Sequence, residues 1–592
     1  MRVADYVFER LIKLGVSHVY SVTGRGSLFL TDAIAKLDSL QNISMHHEQS
    51  AGYAANAHAQ LTGELAVCLI STGCGSTNAV TPVLNAWQDG LPVIFISGQN
   101  FLRETTSHSG LNIRTHGQQE ADIVSIVRPI TKFAKMIHNP NEIISVLDEA
   151  IKLAVSGRQG PVWIDIPLDV QSGQIDNTNV DFSPVLTEKI KTKLEEINVV
   201  AEILNASKRP VILIGSGVRH SRGIESLITL AKNSSIPIVY TSSSADIYGS
   251  KNYGSIGSVG TMGCSRAGNI VTHSADVLLV LGNRLTSMTT GANPEDFAPN
   301  ATKIFVDVDS EEAKKSNLSI NKVIVCDSKY FTDHLNEKIF HNLHSKWLKK
   351  CETIKIELNQ LEDDFKSNEK IDLYDLTLNL SKRIPNEINI VTDSGLCELI
   401  IPTNIDLEKK QRLIHPTSQG SMGFAIPGAI GAYLASKTPT LVIVGDGSIM
   451  MNLQELETIK YNKLPIKIMV INNDAYSIIR KRQKELFRGR TIGTDSKNGL
   501  SCPNFEEVAS LFKFKYMKLE DKNKITEVID EMLECKEAVL CEVLGKENQD
   551  YVQAASRMGE DGRFQKMPLY NQHPFTNHIK HEMAYTNLVK TN

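Results

Sequence analysis

Short runs of apolar, largely β-branched residues recur along the chain, separated by stretches in which apolar residues return every three or four positions. Continuous apolar runs suit strands buried on both faces, and the helical period suits the helices that cover them. The alternation therefore predicts parallel sheets made of strand–helix–strand units. In a first block, strands are predicted at Ala66–Ser71, Val93–Ser97 and Val162–Ile166, with a strand-like Ile43–Met45 and helices over Gln49–Thr62 and Glu142–Ser156. The opening Met1–Val16 sets Arg2, Asp5, Glu9, Arg10 and Lys13 among apolar residues at helical spacing and predicts an amphipathic helix, not a secretion signal. A second block places strands at Val211–Ile214, Ile236–Tyr240, Val277–Leu281, Lys303–Val306 and Lys322–Val325. A third places them at Ile388–Thr392, Thr440–Val444, Ile466–Asn472 and Ala538–Val543. The pattern predicts an α/β protein of three consecutive doubly wound parallel-sheet domains, over residues 1–175, 190–345 and 371–550. Residues 346–370, with Lys349, Lys350, Glu352, Glu357, Glu362, Asp363 and Asp364, read as a solvated helical connector, and residues 551–592 as an irregular tail wrapping the surface.

The length of 592 residues fits three or four domains at roughly 150 each and excludes a single small binding module. The 63 Lys and Arg against 67 Asp and Glu leave a net charge of −4. That balance gives no overall footprint for nucleic acid or an anionic membrane, so small-molecule chemistry becomes the expectation. The apolar runs have core-strand length, too short to span a membrane. Nine cysteines are scattered without a C-x-x-C pair, which suits reduced, mostly buried thiols and a cytoplasmic location.

The chemistry concentrates where predicted strands end. Gly445-Asp446-Gly447-Ser448 follows the strand Thr440–Val444, and Asn472-Asn473 closes the next one. A carboxylate and an amide oxygen at adjacent strand ends are hard ligands that suit Mg²⁺, which keeps phosphate oxygens and water in its octahedron. Gly445 and Gly447 let the main chain approach a phosphate, and a helix expected from about Asn452 points its positive end the same way. Gly-Asp-Gly alone would be an ordinary strand-to-helix turn. The Asn-Asn pair beyond 24 intervening residues, 448 to 471, separates the two readings.

With that spacing, Gly445–Tyr476 (GDGSIMMNLQELETIKYNKLPIKIMVINNDAY) resembles the cofactor-binding core of the thiamine diphosphate-dependent acetolactate synthase and pyruvate decarboxylase superfamily. The resemblance implies that Asp446, Asn473 and the main chain of Ala475 hold the metal, which clamps the diphosphate. Glu48, in His46-His47-Glu48-Gln49-Ser50-Ala51, matches the family glutamate that bonds the aminopyrimidine and pushes it towards its imino form, an internal base. His46 and His47 read as polar helix-entry residues. Ser71–Asn78 resembles the family's Gly-Pro-Gly loop with Cys74 where proline is usual, and Gly157–Val162, continuing to Asp165–Pro167, resembles the turn between the first two domains. Gly420–Pro427 resembles the segment that keeps the cofactor bent, with Met422 as the apolar prop and the Gly420 carbonyl accepting from the aminopyrimidine. By the same resemblance Gly24, Gly73, Gly75, Asn78, Ser448 and Tyr476 complete the cofactor site, and Gln119 matches the glutamine that carboligases place near the thiazolium. Glu48 and Asp446 lie in different domains, and in this family those domains come from different subunits, so a homodimer or homotetramer is implied.

In the middle block no glycine-rich turn has the third glycine of the dinucleotide fingerprint, which disfavours hydride transfer. Arg158, Gly215, Gly217, Gly282, Arg284, Asp307 and Asp309 resemble the flavin-binding residues of acetolactate synthases. The family's Phe-Asp-Asp-Arg run is here Leu285-Thr286-Ser287-Met288, which weakens that implication. Any FAD bound there is structural, because joining two carbons transfers no net electrons. Gly395–Leu399 stands where acetolactate synthases are rich in Gln-His-Gln, a departure from the standard branched-chain amino-acid enzyme. Thr23–Leu28 and the tail segments Gly562-Arg563-Phe564 and His573-Pro574-Phe575 look like a sugar-pathway branch, in which the acceptor is a nucleotide-linked keto-sugar contacted by Arg25. The expected enzyme is a thiamine diphosphate- and Mg²⁺-dependent carboligase that decarboxylates a 2-oxo acid, pyruvate first, and passes the two-carbon unit to a carbonyl acceptor. Acetolactate synthase proper, a non-ligating decarboxylase, a dione hydrolase and a catalytically silent regulatory subunit are the alternatives.

Overall fold

Each predicted block closes into its own six-stranded, wholly parallel sheet in the computed structural model, which describes residues 1–176, 182–185, 187–358, 370–554, 556–558, 564–573, 586 and 588–589. The first sheet takes β1 (His18–Ser21), β2 (Gln41–Ser44), β3 (Ala66–Ile70), β4 (Val93–Gln99), β5 (Phe133–Met136) and β6 (Val162–Pro167) in the order β2-β1-β3-β4-β6-β5. The middle sheet takes β7 (Pro210–Ile214), β8 (Ile238–Tyr240), β9 (Ser255–Ser258), β10 (Val277–Leu281), β11 (Thr302–Asp307) and β12 (Lys322–Val325) in the order β12-β11-β10-β7-β8-β9. The third takes β13 (Ile388–Thr392), β14 (Gln411–Ile414), β15 (Thr440–Gly445), β16 (Lys467–Asn472), β17 (Lys515–Leu519) and β18 (Val539–Leu544) in the order β14-β13-β15-β16-β18-β17. The first and third sheets thus share one connectivity. In the middle sheet the order reverses between β7 and β10, a switch point that opens a crevice at the strands' carboxyl ends.

The longest apolar runs became the fully buried strands, β3 and β10 among them. Of the strands the pattern did not predict, β5, β9, β14 and β17 are sheet edges, where a single neighbour leaves room for polar residues such as Gln411, Arg412, Lys515 and Lys518. β1 is short and begins and ends on His18 and Ser21.

The helix Glu48–Thr62 of the first domain lies against the helix Ala425–Ser436 of the third, and their buried residues share one core. Small residues make the approach close: a Cβ on Gly431 would overlap the carbonyl oxygen of Ala54, and Tyr53 meets Phe424 edge-on with ring centres 5.3 Å apart.

Two expectations need correction. Residues 345–358 are no solvated connector: Trp347, Leu348, Cys351, Ile354 and Leu358 form a buried stripe on the helix Ser345–Leu358, and Trp347 Nε1 donates to the carbonyl of Pro210 (2.9 Å). The charged residues hide this stripe in composition but occupy the opposite face. Glu362, Asp363 and Asp364 lie outside the described residues. The tail is more ordered than expected, with Gln553–Ala554 pairing antiparallel with Gln572–His573 and Ser556–Met558 with Phe564–Lys566. It docks on the middle domain, where Gly263 N donates to Val552 O (2.6 Å) and Gln572 Nε2 to Cys264 O (3.2 Å). Gly562, Arg563, Pro574 and Phe575 lie outside the described residues. Among the described residues no helix is long and apolar enough to cross a membrane.

Candidate active site

At the carboxyl end of β15 the chain turns at Gly445 into a single helical turn, Asp446–Ile449, and the next helix begins at Glu455, three residues later than expected. The turn wraps Asp446 in main-chain donors: Gly447 N gives Oδ1 a bond of 2.7 Å and Asn473 N, at the end of neighbouring β16, gives Oδ2 one of 3.0 Å. Burial pushes Asp446 up to about 6, against those bonds pulling it down, and a cation in the nest would reverse the shift. Asn473 Oδ1 is buried and accepts no hydrogen bond, and the main chain of Ala475 lies close by. An orphaned amide oxygen beside a buried carboxylate fits a hard cation. Among the described residues no three His, Cys, Asp or Glu side chains converge on a metal. One carboxylate oxygen with one amide and one main-chain oxygen leaves half of a Mg²⁺ octahedron to phosphate and water. Gly447 is obligatory, since a Cβ there would overlap the ring of Tyr476.

The Gly420–Met422 segment reaches the same place. Gly420 has a φ of +57°, a conformation glycine adopts without strain, and Met422 is half-buried beside it. Sequence reasoning missed the residue that joins this segment to the Asp446 turn. Asp393, fully buried just after β13, accepts from Ser448 Oγ (2.6 Å), Gly423 N (3.2 Å) and Ala425 N (3.4 Å). Its one sequence signal is an acidic residue directly after a predicted strand. Asn452 adds a second tie, with Nδ2 donating to Gly423 O (2.8 Å) and to Gln49 of the first domain (3.1 Å), while Oδ1 accepts from Ser50 (2.8 Å).

Glu48 opens its helix at the carboxyl ends of the first sheet. His47 Nδ1 accepts from Gln49 N (3.1 Å) as the helix cap, and His46 pairs with Thr458 Oγ1 (3.0 Å), so both histidines are helix-entry residues. Half-buried Glu48 accepts from Asn78 Nδ2 (2.9 Å) and abuts Gly75, where a Cβ would sit 2.9 Å from Oε1. Gly73, at φ +60°, faces the main chain of Gln119, which a Cβ there would overlap, and Gly24 packs on Ser71 in the same way. Glu48, Gly24, Gly73, Gly75, Asn78 and Gln119 therefore come together at one end of the first sheet. Asp446, Asn473, Gly420 and Met422 gather at the third. Glu48 bonds within the first domain and Asp446 within the third.

At the switch point of the middle sheet lies a cavity of about 400 Å³ whose walls include Arg158, Gly215, Gly217, Gly282, Arg284 and Asp307. Asp309 is set back from it, bonded to Arg158 (3.1 Å). The glycines serve each other: the turns after β7 and β10 cross so closely that a Cβ on Gly217 would stand 2.7 Å from the Cα of Gly282. The Gly157–Pro161 turn lies inside the first domain, ahead of β6, and not between domains as expected, although Arg158 reaches across to Asp309 and Glu312.

Residues 1–126, 197–335 and 393–543 match the family descriptions "Thiamine pyrophosphate enzyme, N-terminal TPP binding domain", "central domain" and "C-terminal TPP binding domain". The chain is 30% identical over 539 residues to the acetolactate synthase large subunit of Buchnera aphidicola subsp. Schizaphis graminum, covering 88% of this chain and 90% of that one. It is 29% identical to the acetolactate synthase isozyme 1 large subunit of Escherichia coli K12, covering 88% and 89%, and 29% identical to the acetolactate synthase large subunit of Lactococcus lactis, covering 91% and 92%.

Proposed function

This chain belongs to the thiamine diphosphate-dependent enzymes of the acetolactate synthase type, and from that premise we propose that it decarboxylates a 2-oxo acid, pyruvate first, and joins the two-carbon unit to a carbonyl acceptor. The observation that carries this reading is the buried, unbonded Oδ1 of Asn473 beside Asp446. Bound thiamine diphosphate supplies the carbon nucleophile that makes loss of carbon dioxide from a 2-oxo acid possible. The chain holds and orients it. Asp446, Asn473 and the main chain of Ala475 are the proposed Mg²⁺ ligands, and Gly445, Gly447, Ser448 and Tyr476 line the diphosphate turn. Met422 is the apolar prop, and the Gly420 carbonyl fixes the aminopyrimidine. Glu48 exchanges a proton with that ring, and Gln119 stands near the reacting carbon. Replacing Glu48 by Gln should lower turnover by about 10²–10⁴-fold with the fold unchanged; full turnover in that variant would refute the assignment.

A second 2-oxo acid is the acceptor we favour, in line with the acetolactate synthases among the chain's relatives. The nucleotide-linked keto-sugar has no such support, and the acetolactate synthase reading is the better supported of the two. Product analysis with pyruvate alone, then with a second 2-oxo acid or a keto-sugar nucleotide added, decides between them; release of carbon dioxide with no ligated product would identify a simple decarboxylase. Flavin is proposed for the cavity of the middle domain, supported by its position at the switch point, and the absorption spectrum of the purified protein tests it. A homodimer is proposed because Asn78, which bonds Glu48, stands exposed on the chain's surface. The free, mostly buried cysteines suit a reducing cytoplasm.

A further inference from the structure

Just before the Gly420–Met422 segment, residues 415–418 lie where all three domains touch. The main-chain carbonyl of His415 accepts from Gln60 Nε2 of the first domain (3.0 Å), and its ring Nε2 meets the carbonyl of Ser242 in the middle domain (3.2 Å). Ser418 N donates to Asp89 of the first domain (3.0 Å), and the Ser418 hydroxyl accepts from Arg284 of the middle domain. A carbonyl can only accept, so Nε2 of His415 carries a hydrogen. The other ring nitrogen, Nδ1, is buried and makes no hydrogen bond; it faces Glu398, whose Oε1 is 3.9 Å away.

Glu398 in turn governs Gly420. Its Oε2 fills the space that a side chain at Gly420 would need, 2.9 Å from where a Cβ would stand. Glu398, Asp89, Arg284 and Ser418 all also form part of the wall of the cavity in the middle domain. Burial pushes Asp89 and Glu398 up, and Glu398 holds His415 above its ordinary value although burial pulls the imidazole down. The buried imidazole lies against Glu398, and Asp89 holds Ser418 three residues on, so a shift of the 415–418 segment would disturb bonds to both of the other domains.

We infer that Glu398 and His415 are positioning residues, which hold the main chain at Gly420 and the Met422 prop in the arrangement that takes up thiamine diphosphate, and which transmit to that segment whether the cavity of the middle domain is filled by a flavin nucleotide. The inference rests on the proposed roles of Gly420 and Met422. Coupling of this kind is a difference in affinity and is reciprocal between the two ligands.

The test titrates thiamine diphosphate into the full-length, Mg²⁺-supplemented protein by calorimetry, with and without saturating FAD. Glu398→Gln keeps the shape and removes the charge. In the wild type, FAD should tighten thiamine diphosphate binding several-fold. Glu398→Gln should bind it about tenfold more weakly, with no response to FAD and a ligand-free melting temperature equal to the wild type. Where Glu398→Gln melts lower, His415→Gln, whose amide can still donate to Ser242, is read by the same criteria. Wild-type affinity and wild-type response to FAD in the variant that melts normally overturn the inference. A wild type that takes up no flavin overturns the flavin reading above, and the thiamine diphosphate affinity of the variants then decides this inference alone.

Discussion

Asn473 carries an oxygen that is buried and unbonded, a state that costs about 1–3 kcal/mol in a ligand-free protein. Beside a buried carboxylate such an atom suits a ligand that completes its bonding. Asn473→Ala should leave the ligand-free melting temperature unchanged or raised while increasing the Mg²⁺ concentration for half-maximal cofactor binding by at least about tenfold; a lower melting temperature with unchanged Mg²⁺ demand would count against a ligand role. A second buried group makes its own prediction. Burial pushes Asp165 up to about 7, against hydrogen bonds from Ser97 (2.6 Å) and Gln99 (3.1 Å) that pull it down. Its folded value is above its unfolded one, so between about pH 4 and 7 the folded chain keeps a proton that the unfolded chain has lost, and stability falls as pH rises through that window. The melting temperature of Asp165→Asn relative to wild type should therefore rise from pH 5 to pH 8; a constant difference would show that Asp165 is ionised in the fold. The candidates Asp446, Asn473 and Glu48 could be picked from the sequence because the roles proposed for them fix both residue type and spacing. Asp393 and Glu398 could not, because they act through contacts that only the folded chain creates.

Among the elements, the paired helices Glu48–Thr62 and Ala425–Ser436 depend closely on residue size. Gly431→Ala puts a methyl group into the carbonyl of Ala54, so overpacking should cost about 1–3 kcal/mol and lower the melting temperature by several degrees. An unchanged melting temperature would mean the helices can separate freely. Central strands such as β10 announced themselves by unbroken apolar runs, whereas β9, β14 and β17 did not, since an edge strand needs only one apolar face. The helix Ser345–Leu358 was misjudged for a related reason: its charge is conspicuous, while its stripe of Trp347, Cys351 and Ile354 is visible only at helical spacing.

For the whole molecule, the first and third sheets share one connectivity, and each carries part of the candidate site at its strand ends. If the two halves of each site come from different chains of a dimer, inactive Glu48→Gln and inactive Asp446→Asn chains expressed together should regain about a quarter of wild-type activity, because half of the random dimers hold one intact site. Sites built within one chain would regain none. Light scattering of the wild type should report about twice the 65.4 kDa of the chain or a multiple of that.

The docking of the tail also bears on the order in which the molecule can be finished. Met262 and Cys264 form part of the cavity wall in the middle domain, yet the loop that carries them donates to Val552 and accepts from Gln572, which lies 308 residues beyond Cys264. Thr403 Oγ1 and Asn404 Nδ2 of the third domain also donate to the carbonyl of Gly263, so that part of the wall is complete only once the third domain and the segment after it have folded against the middle one. A substitution at Gln572 would therefore be felt in a pocket whose wall is encoded 308 residues earlier.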